Sequence, residues 1–82
     1  MDFKEQKKLV VGAIKYGDKS IISKRLGITT NTLNTALALD SLEYATDGQV
    51  RIWEESLNFI KEKQQRIAKI ANKMAAVSEN LK

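Results

Sequence analysis

The sequence predicts a mainly α-helical chain: three helices around one small core, a small β-hairpin over 42–46 and 49–53, and a long carboxy-terminal helix. Three observations carry this expectation. Apolar residues recur at helical spacing through most of the chain. Gly17, Gly27 and Gly48 stand where elements would end or turn. From Glu54 onward no Gly or Pro interrupts the helical pattern. With 82 residues there is room for a single core, and a chain of this size buries only roughly 60% of the surface its unfolded form exposes.

The first helix is expected from Phe3 to Tyr16, with Phe3, Val10, Val11 and Ile14 on one side. Asp2 followed by Glu5 makes a capping-box pattern at its start, and Gly17 supplies its stop. Asp18 then caps a second helix of about two turns, carrying Ile21, Ile22 and Leu26, with Gly27 as its C′ residue. Thr29 and Thr30 are the N-cap choices for a third helix over 30–39, whose Leu33, Ala36 and Leu37 follow the i, i+3, i+4 spacing of a buried stripe. Two short helices joined by a Gly turn meet the requirement of a helix-turn-helix.

Beyond Leu39 two signals compete. Asp47-Gly48 between Leu42-Glu43-Tyr44-Ala45-Thr46 and Gln49-Val50-Arg51-Ile52-Trp53 reads as a hairpin turn, with Leu42, Tyr44, Val50 and Ile52 alternating. Thr46-x-x-Gln49 reads instead as a capping box opening a helix. The hairpin is preferred, because Gly48 costs about 1 kcal/mol inside a helix. From about Glu54 either reading is helical for about 27 residues, or about 40 Å. The pattern divides the chain into a domain over 1–60 and a long helix over 54–82. Within that helix Ile67, Ile70, Met74, Val77 and Leu81 form a narrow stripe of the kind that seats a partner helix. Trp53 is expected in the core.

The segment Lys19 to Leu39 resembles the helix-turn-helix of bacterial and phage DNA-binding regulators. The resemblance runs through Ile22, Leu26, Gly27, Ile28, Leu33 and Ala36, with Ser23 at the small position where the two helices cross. Extended through Asp47-Gly48 and Val50-Arg51-Ile52 to Ile60, it is similar to winged-helix proteins of the excisionase and MerR types. A phage-repressor-like all-helical domain, with Thr46 capping a fourth helix, is the other family the pattern fits. Either resemblance implies a sequence-specific DNA-binding protein that regulates transcription in a phage or mobile-element setting. The alternatives are an architectural role in excision, partition or DNA packaging, and a helix-turn-helix reused as a protein-interaction module.

If the third helix enters a major groove, its solvent face offers Thr30, Asn31, Asn34 and Thr35 to base edges, with an A·T-leaning preference from the asparagines. Thr29 at its start suits a phosphate. Charge supports this only at the flanks. There are seven basic and three acidic residues up to Leu26, no basic and three acidic residues from Gly27 to Val50, and seven basic and four acidic residues from Arg51 onward. The expected phosphate contacts are therefore Lys19, Lys24 and Arg25 on the second helix, and Gln49 and Arg51 on the hairpin. Few such contacts per copy imply a homodimer or higher homo-oligomer joined through Ile67, Ile70, Met74, Val77 and Leu81, reading a two-fold site on double-stranded DNA.

With no Cys and no His, the sequence offers no disulfide, no zinc site and no thiol or imidazole catalysis. It shows no catalytic constellation, and no metal or cofactor is expected. Glu54, Glu55 and Glu62 are expected in surface pairs with the lysines and arginines of their own helix. No apolar run approaches the roughly 20 residues of a membrane span, and the amino terminus lacks a signal-peptide core, which leads to a cytoplasmic, nucleoid-associated expectation without membrane contact.

Overall fold

A computed structural model describes residues 2–81; Met1 and Lys82, the outer ends of the two expected segments, lie outside it. Four helices follow one another: α1 Phe3–Ala13, α2 Tyr16–Leu26, α3 Thr30–Leu37 and α4 Asp47–Leu81. α4 packs against each of the other three, and α2 packs against α3.

α1 begins at Asp2, whose carboxylate accepts the Glu5 N–H at 3.0 Å. It ends at Ala13, three residues short of the expected Tyr16, because two local demands coincide there. Ile14 takes an extended backbone, φ −89° and ψ 113°, and is buried in the core. The Asp18 carboxylate accepts the Lys15 N–H at 3.0 Å, which makes Lys15 the N-cap of the next helix and Asp18 its third residue. Gly17 therefore lies in the first turn of α2 and stops nothing. At the other end of α2, Gly27 has φ 68°, the left-handed conformation a side chain disfavours, and the Ile28 N–H returns to the Ser23 carbonyl at 3.0 Å.

α3 is capped by the Thr29 hydroxyl, which accepts the Thr32 N–H at 3.1 Å. Leu33, Ala36 and Leu37 are buried as the spacing predicts. The helix stops at Leu37, and Lys7 of α1 donates to the Ala38 carbonyl at 3.0 Å, placing a cation at the negative end of the helix.

The expected hairpin over 42–46 and 49–53 is absent: no strand forms among the described residues, and Asp47 begins a helix that runs 35 residues. Thr46 and Gln49 make the reciprocal box, with Thr46 N–H to Gln49 Oε1 at 3.0 Å and Gln49 N–H to Thr46 Oγ1 at 3.2 Å. The reason the helix prevails lies in the next residues. Ile52 and Trp53 are neighbours, and both are buried. Successive side chains of a strand point to opposite faces, whereas on a helix positions 52, 53, 56 and 59 share one side. Only the helix delivers Ile52, Trp53, Ser56 and Phe59 to the core together. The long helix thus starts at Asp47, not near Glu54, and spans about 52 Å at 1.5 Å per residue.

Gly48 gives a direct check on this correction. A Cβ added there would meet only Thr46 Oγ1, at 3.9 Å, and the backbone is not left-handed. Gly48→Ala is expected to stabilise the fold by about 0.5–1 kcal/mol in urea unfolding. A hairpin turn at 47–48 would give a loss instead.

The core is aliphatic with two aromatics: Ile14, Ile22, Leu33, Ala36, Leu37, Ile52, Trp53 and Phe59, with Phe3, Val10, Val11, Leu26, Ile28 and Ile60 partly buried around them. It lies where α4's first four turns cross α2 and α3. Every residue from Gln64 to Leu81 is exposed, so the second half of α4 projects beyond the core.

Candidate nucleic-acid interface

The exposed side of α3 follows from its buried side. Leu33, Ala36 and Leu37 face the core, which at 100° per residue leaves Asn31 and Thr35 at the centre of the opposite face. Asn34 and Thr32 lie on its two flanks. Thr30, Asn31, Thr32, Asn34 and Thr35 are all exposed. The Thr35 hydroxyl donates to the Asn31 carbonyl at 2.9 Å, which ties it to its own helix. The Thr29 hydroxyl is held by the cap and by the Thr32 hydroxyl at 2.9 Å. The two asparagine amides make no such internal bond among the described residues, and they are the unengaged donor-acceptor groups of this face.

Each flank has its own hollow. On the Thr32 side, a shallow one is lined by Leu26, Ile28, Thr32, Gln49, Arg51 and Ile52. On the Asn34 side, a groove of about 850 Å³ runs between α1 and the end of α3. Gln49 and Arg51, expected on a hairpin, therefore sit in the first turns of α4, beside the turn that joins α2 to α3. Gln49 is held in the capping box, while Arg51 is exposed. Thr32 joins the face although the sequence does not single it out; only the observed direction of the buried stripe puts it on a flank.

The basic residues of α2 divide. Lys24 is exposed. Lys19 lines the Asn34-side groove. Arg25 is exposed but engaged by α4: its guanidinium lies 3.1 Å from Glu62 and 3.5 Å from Glu55, and 5.3 Å above the Phe59 ring. The hydrogen bond to Glu62, with lesser help from Glu55, raises its pKa above the ordinary value. Glu55 and Glu62 consequently serve a contact between α2 and α4, where pairs within their own helix were expected. Nothing in α2 flags this partner, because the contact spans 37 residues of sequence.

A second ion pair joins the same two helices. Lys63 Nζ donates to Asp18 at 2.7 Å, on the oxygen that also accepts the Lys15 N–H. The bond from Lys63, then that from Lys15, holds the Asp18 carboxyl below its ordinary value of 3.8. A carboxylate with a depressed folded pKa contributes stability above its ordinary range and loses it as pH falls through the folded value. Asp18→Asn is thus expected to lower the urea midpoint at neutral pH, and the gap from wild type should close as both are titrated below pH 3.8. A gap that stays constant down to full protonation would contradict the ion pair.

Among the described residues no three potential metal ligands gather, and no helix is long and apolar enough to cross a membrane. No protein-family model, curated protein or solved structure matches this chain.

Proposed function

We propose that the chain is a small sequence-specific DNA-binding protein of regulatory type, in which α2 and α3 act as a helix-turn-helix and α3 reads the major groove. The observation that supports this most directly is the composition of α3's outer face. It carries two unengaged asparagine amides and several hydroxyls, no charge and no large apolar group, and Thr30, Asn31, Thr32, Asn34 and Thr35 are all exposed. An amide can pair bidentately with adenine N6 and N7. Cations flank this face, Lys19 of α2 in the Asn34-side groove and Arg51 of α4 in the Thr32-side hollow, and Lys24 of α2 is exposed.

Self-association belongs to the same reading. Ile67, Ile70, Met74, Val77 and Leu81 are each more than half exposed along the free half of α4. Joining two copies there would double the phosphate contacts and present two reading helices to a two-fold site.

Selection of bound sequences from a random duplex pool, followed by titration of the selected site, tests the reading. Asn31→Ala with Asn34→Ala is expected to cost about 1–3 kcal/mol of discrimination for each amide removed, seen as a smaller ratio of selected to random affinity. Absence of duplex binding at low salt would overturn the reading and favour a protein partner for the same face.

A further inference from the structure

We infer that the groove between α1 and the end of α3 seats the phosphate backbone of the bound duplex, with Lys4, Lys8 and Lys19 as its contacts. This rests on the DNA-binding reading and moves its electrostatic footing to α1, an element outside the helix pair.

The groove is lined by Lys4, Lys7, Lys8 and Lys19 against Glu5 and Asp40. Lys7 is engaged with the Ala38 carbonyl and with Asp40 at 3.6 Å. Lys4, Lys8 and Lys19 have no hydrogen bond or ion pair among the described residues, so the groove holds three free cations and one free carboxylate, that of Glu5. Lys4 and Lys8 stand four residues apart on one face of α1, where like charges repel and weaken a helix by a few tenths of a kcal/mol. An anion between them reverses that sign. The floor, from Val11 and Leu37, is apolar and makes no competing demand for charge.

Position makes the anion a backbone phosphate. Asn34 lines this groove and is also on the outer face of α3. A duplex whose base edges meet Asn31 and Asn34 therefore carries one strand toward the groove. The same duplex needs cations from somewhere other than α3, which has none, and Arg25 is committed to Glu55 and Glu62. The α1 lysines supply them on the Asn34 flank, opposite Arg51 on the Thr32 flank.

The test uses the whole chain and a fluorescent mixed-sequence duplex titrated over a range of salt. Lys4→Gln with Lys8→Gln is expected to lower affinity about tenfold or more and to reduce the slope of log K against log salt by about 2, near one for each phosphate no longer neutralised. Lys61→Gln with Lys69→Gln removes the same charge from the exposed face of α4 and is expected to change the slope by less than half as much. Because both altered lysines of the groove are surface residues without partners, circular dichroism should match wild type. Acetylation of the unaltered protein, read by mass spectrometry, gives an independent measure: duplex should protect Lys4, Lys8 and Lys19. Wild-type binding with an unchanged slope in the groove variant, or protection by polyglutamate and not by duplex, overturns the groove while leaving α3's role standing. Failure of the wild type to bind any duplex at low salt overturns both.

Discussion

Trp53→Ala is expected to lower the stability of the fold by about 3–5 kcal/mol, the range for truncating a buried aromatic. A chain of this size has a total of only about 0.05–0.15 kcal/mol per residue. The urea midpoint, at a slope near 1 kcal/mol per molar, should fall by about 3 M or disappear. Two separate losses combine. The indole is 4% exposed and stands in tilted contact with the Phe3 ring, centroids 5.8 Å apart, so its removal opens the contact that brings α1 onto α4. Its Nε1–H also donates to the Ala36 carbonyl at 2.9 Å, a buried bond that ties α4 to α3. Trp53→Phe separates these. It keeps an aromatic body and removes the indole donor; the Ala36 carbonyl retains the Leu39 N–H at 3.3 Å, so the loss is the net contribution of one hydrogen bond, about 0.5–1.5 kcal/mol. Trp53 is the sole tryptophan, so both variants must be followed by circular dichroism rather than by fluorescence. A midpoint within error of wild type for Trp53→Ala would mean that the four helices are not joined through this residue.

The same residue links stability to the proposed reading surface. α3 is eight residues long, too short to persist alone. Its direction is set by the Thr29 cap at its start, by Leu33, Ala36 and Leu37 on its buried side, and by Trp53 and Lys7 on the carbonyls near its end. Asn31 and Asn34 inherit their position from those anchors. Trp53→Phe should therefore weaken duplex binding more than its loss of stability accounts for, if α3 is the reading helix.

How much of this is legible in the sequence depends on the range of the interaction. The apolar spacing of α3, the Asp2 cap and the left-handed Gly27 are local, and a few neighbouring residues suffice to read them. The 42–53 segment is a contest between two local signals, a Gly turn and a capping box, each worth about 1 kcal/mol. It is decided by burial of the adjacent Ile52 and Trp53, whose partners on α2 and α3 lie well upstream. The signal is present all the same: two large apolar neighbours followed by Ser56 and Phe59 suit one face of a helix and not an alternating strand. The interface suffers most from long-range pairing. Charge and position alone group Arg25 with Lys19 and Lys24, whereas its partners Glu55 and Glu62 come from the far end of the core. Lys4 and Lys8 are ordinary basic residues of an amphipathic helix until the fold sets α1 beside Asn34.

Ile70→Asp combined with Val77→Asp is expected to raise the dissociation constant of the proposed homo-oligomer by at least about a thousandfold. Two copies contribute four such side chains, each worth roughly 1.5–3 kcal/mol on full burial, and each tenfold in affinity is about 1.4 kcal/mol. The geometry favours a helix-to-helix contact over a return to the core. Lys63, which stands in the register of the stripe, is turned to Asp18 at 2.7 Å and closes the intramolecular packing at that point. Beyond it, Ile67, Ile70, Met74, Val77 and Leu81 repeat by three and four with nothing covering them. Ala71 and Ser78 are small residues bordering the stripe, which lets a second helix approach closely on that side. Sedimentation should give an oligomer for the intact chain, and a monomer for the double variant and for a chain ended after Arg66. Because the substituted residues touch no part of the core, the folded first sixty residues should keep their urea midpoint. Affinity for a two-fold duplex site should fall while affinity for a single half-site stays within about twofold, since only avidity is removed. An intact chain that sediments as a monomer would leave the stripe without a partner of its own kind and confine the proposed reading to one helix per site.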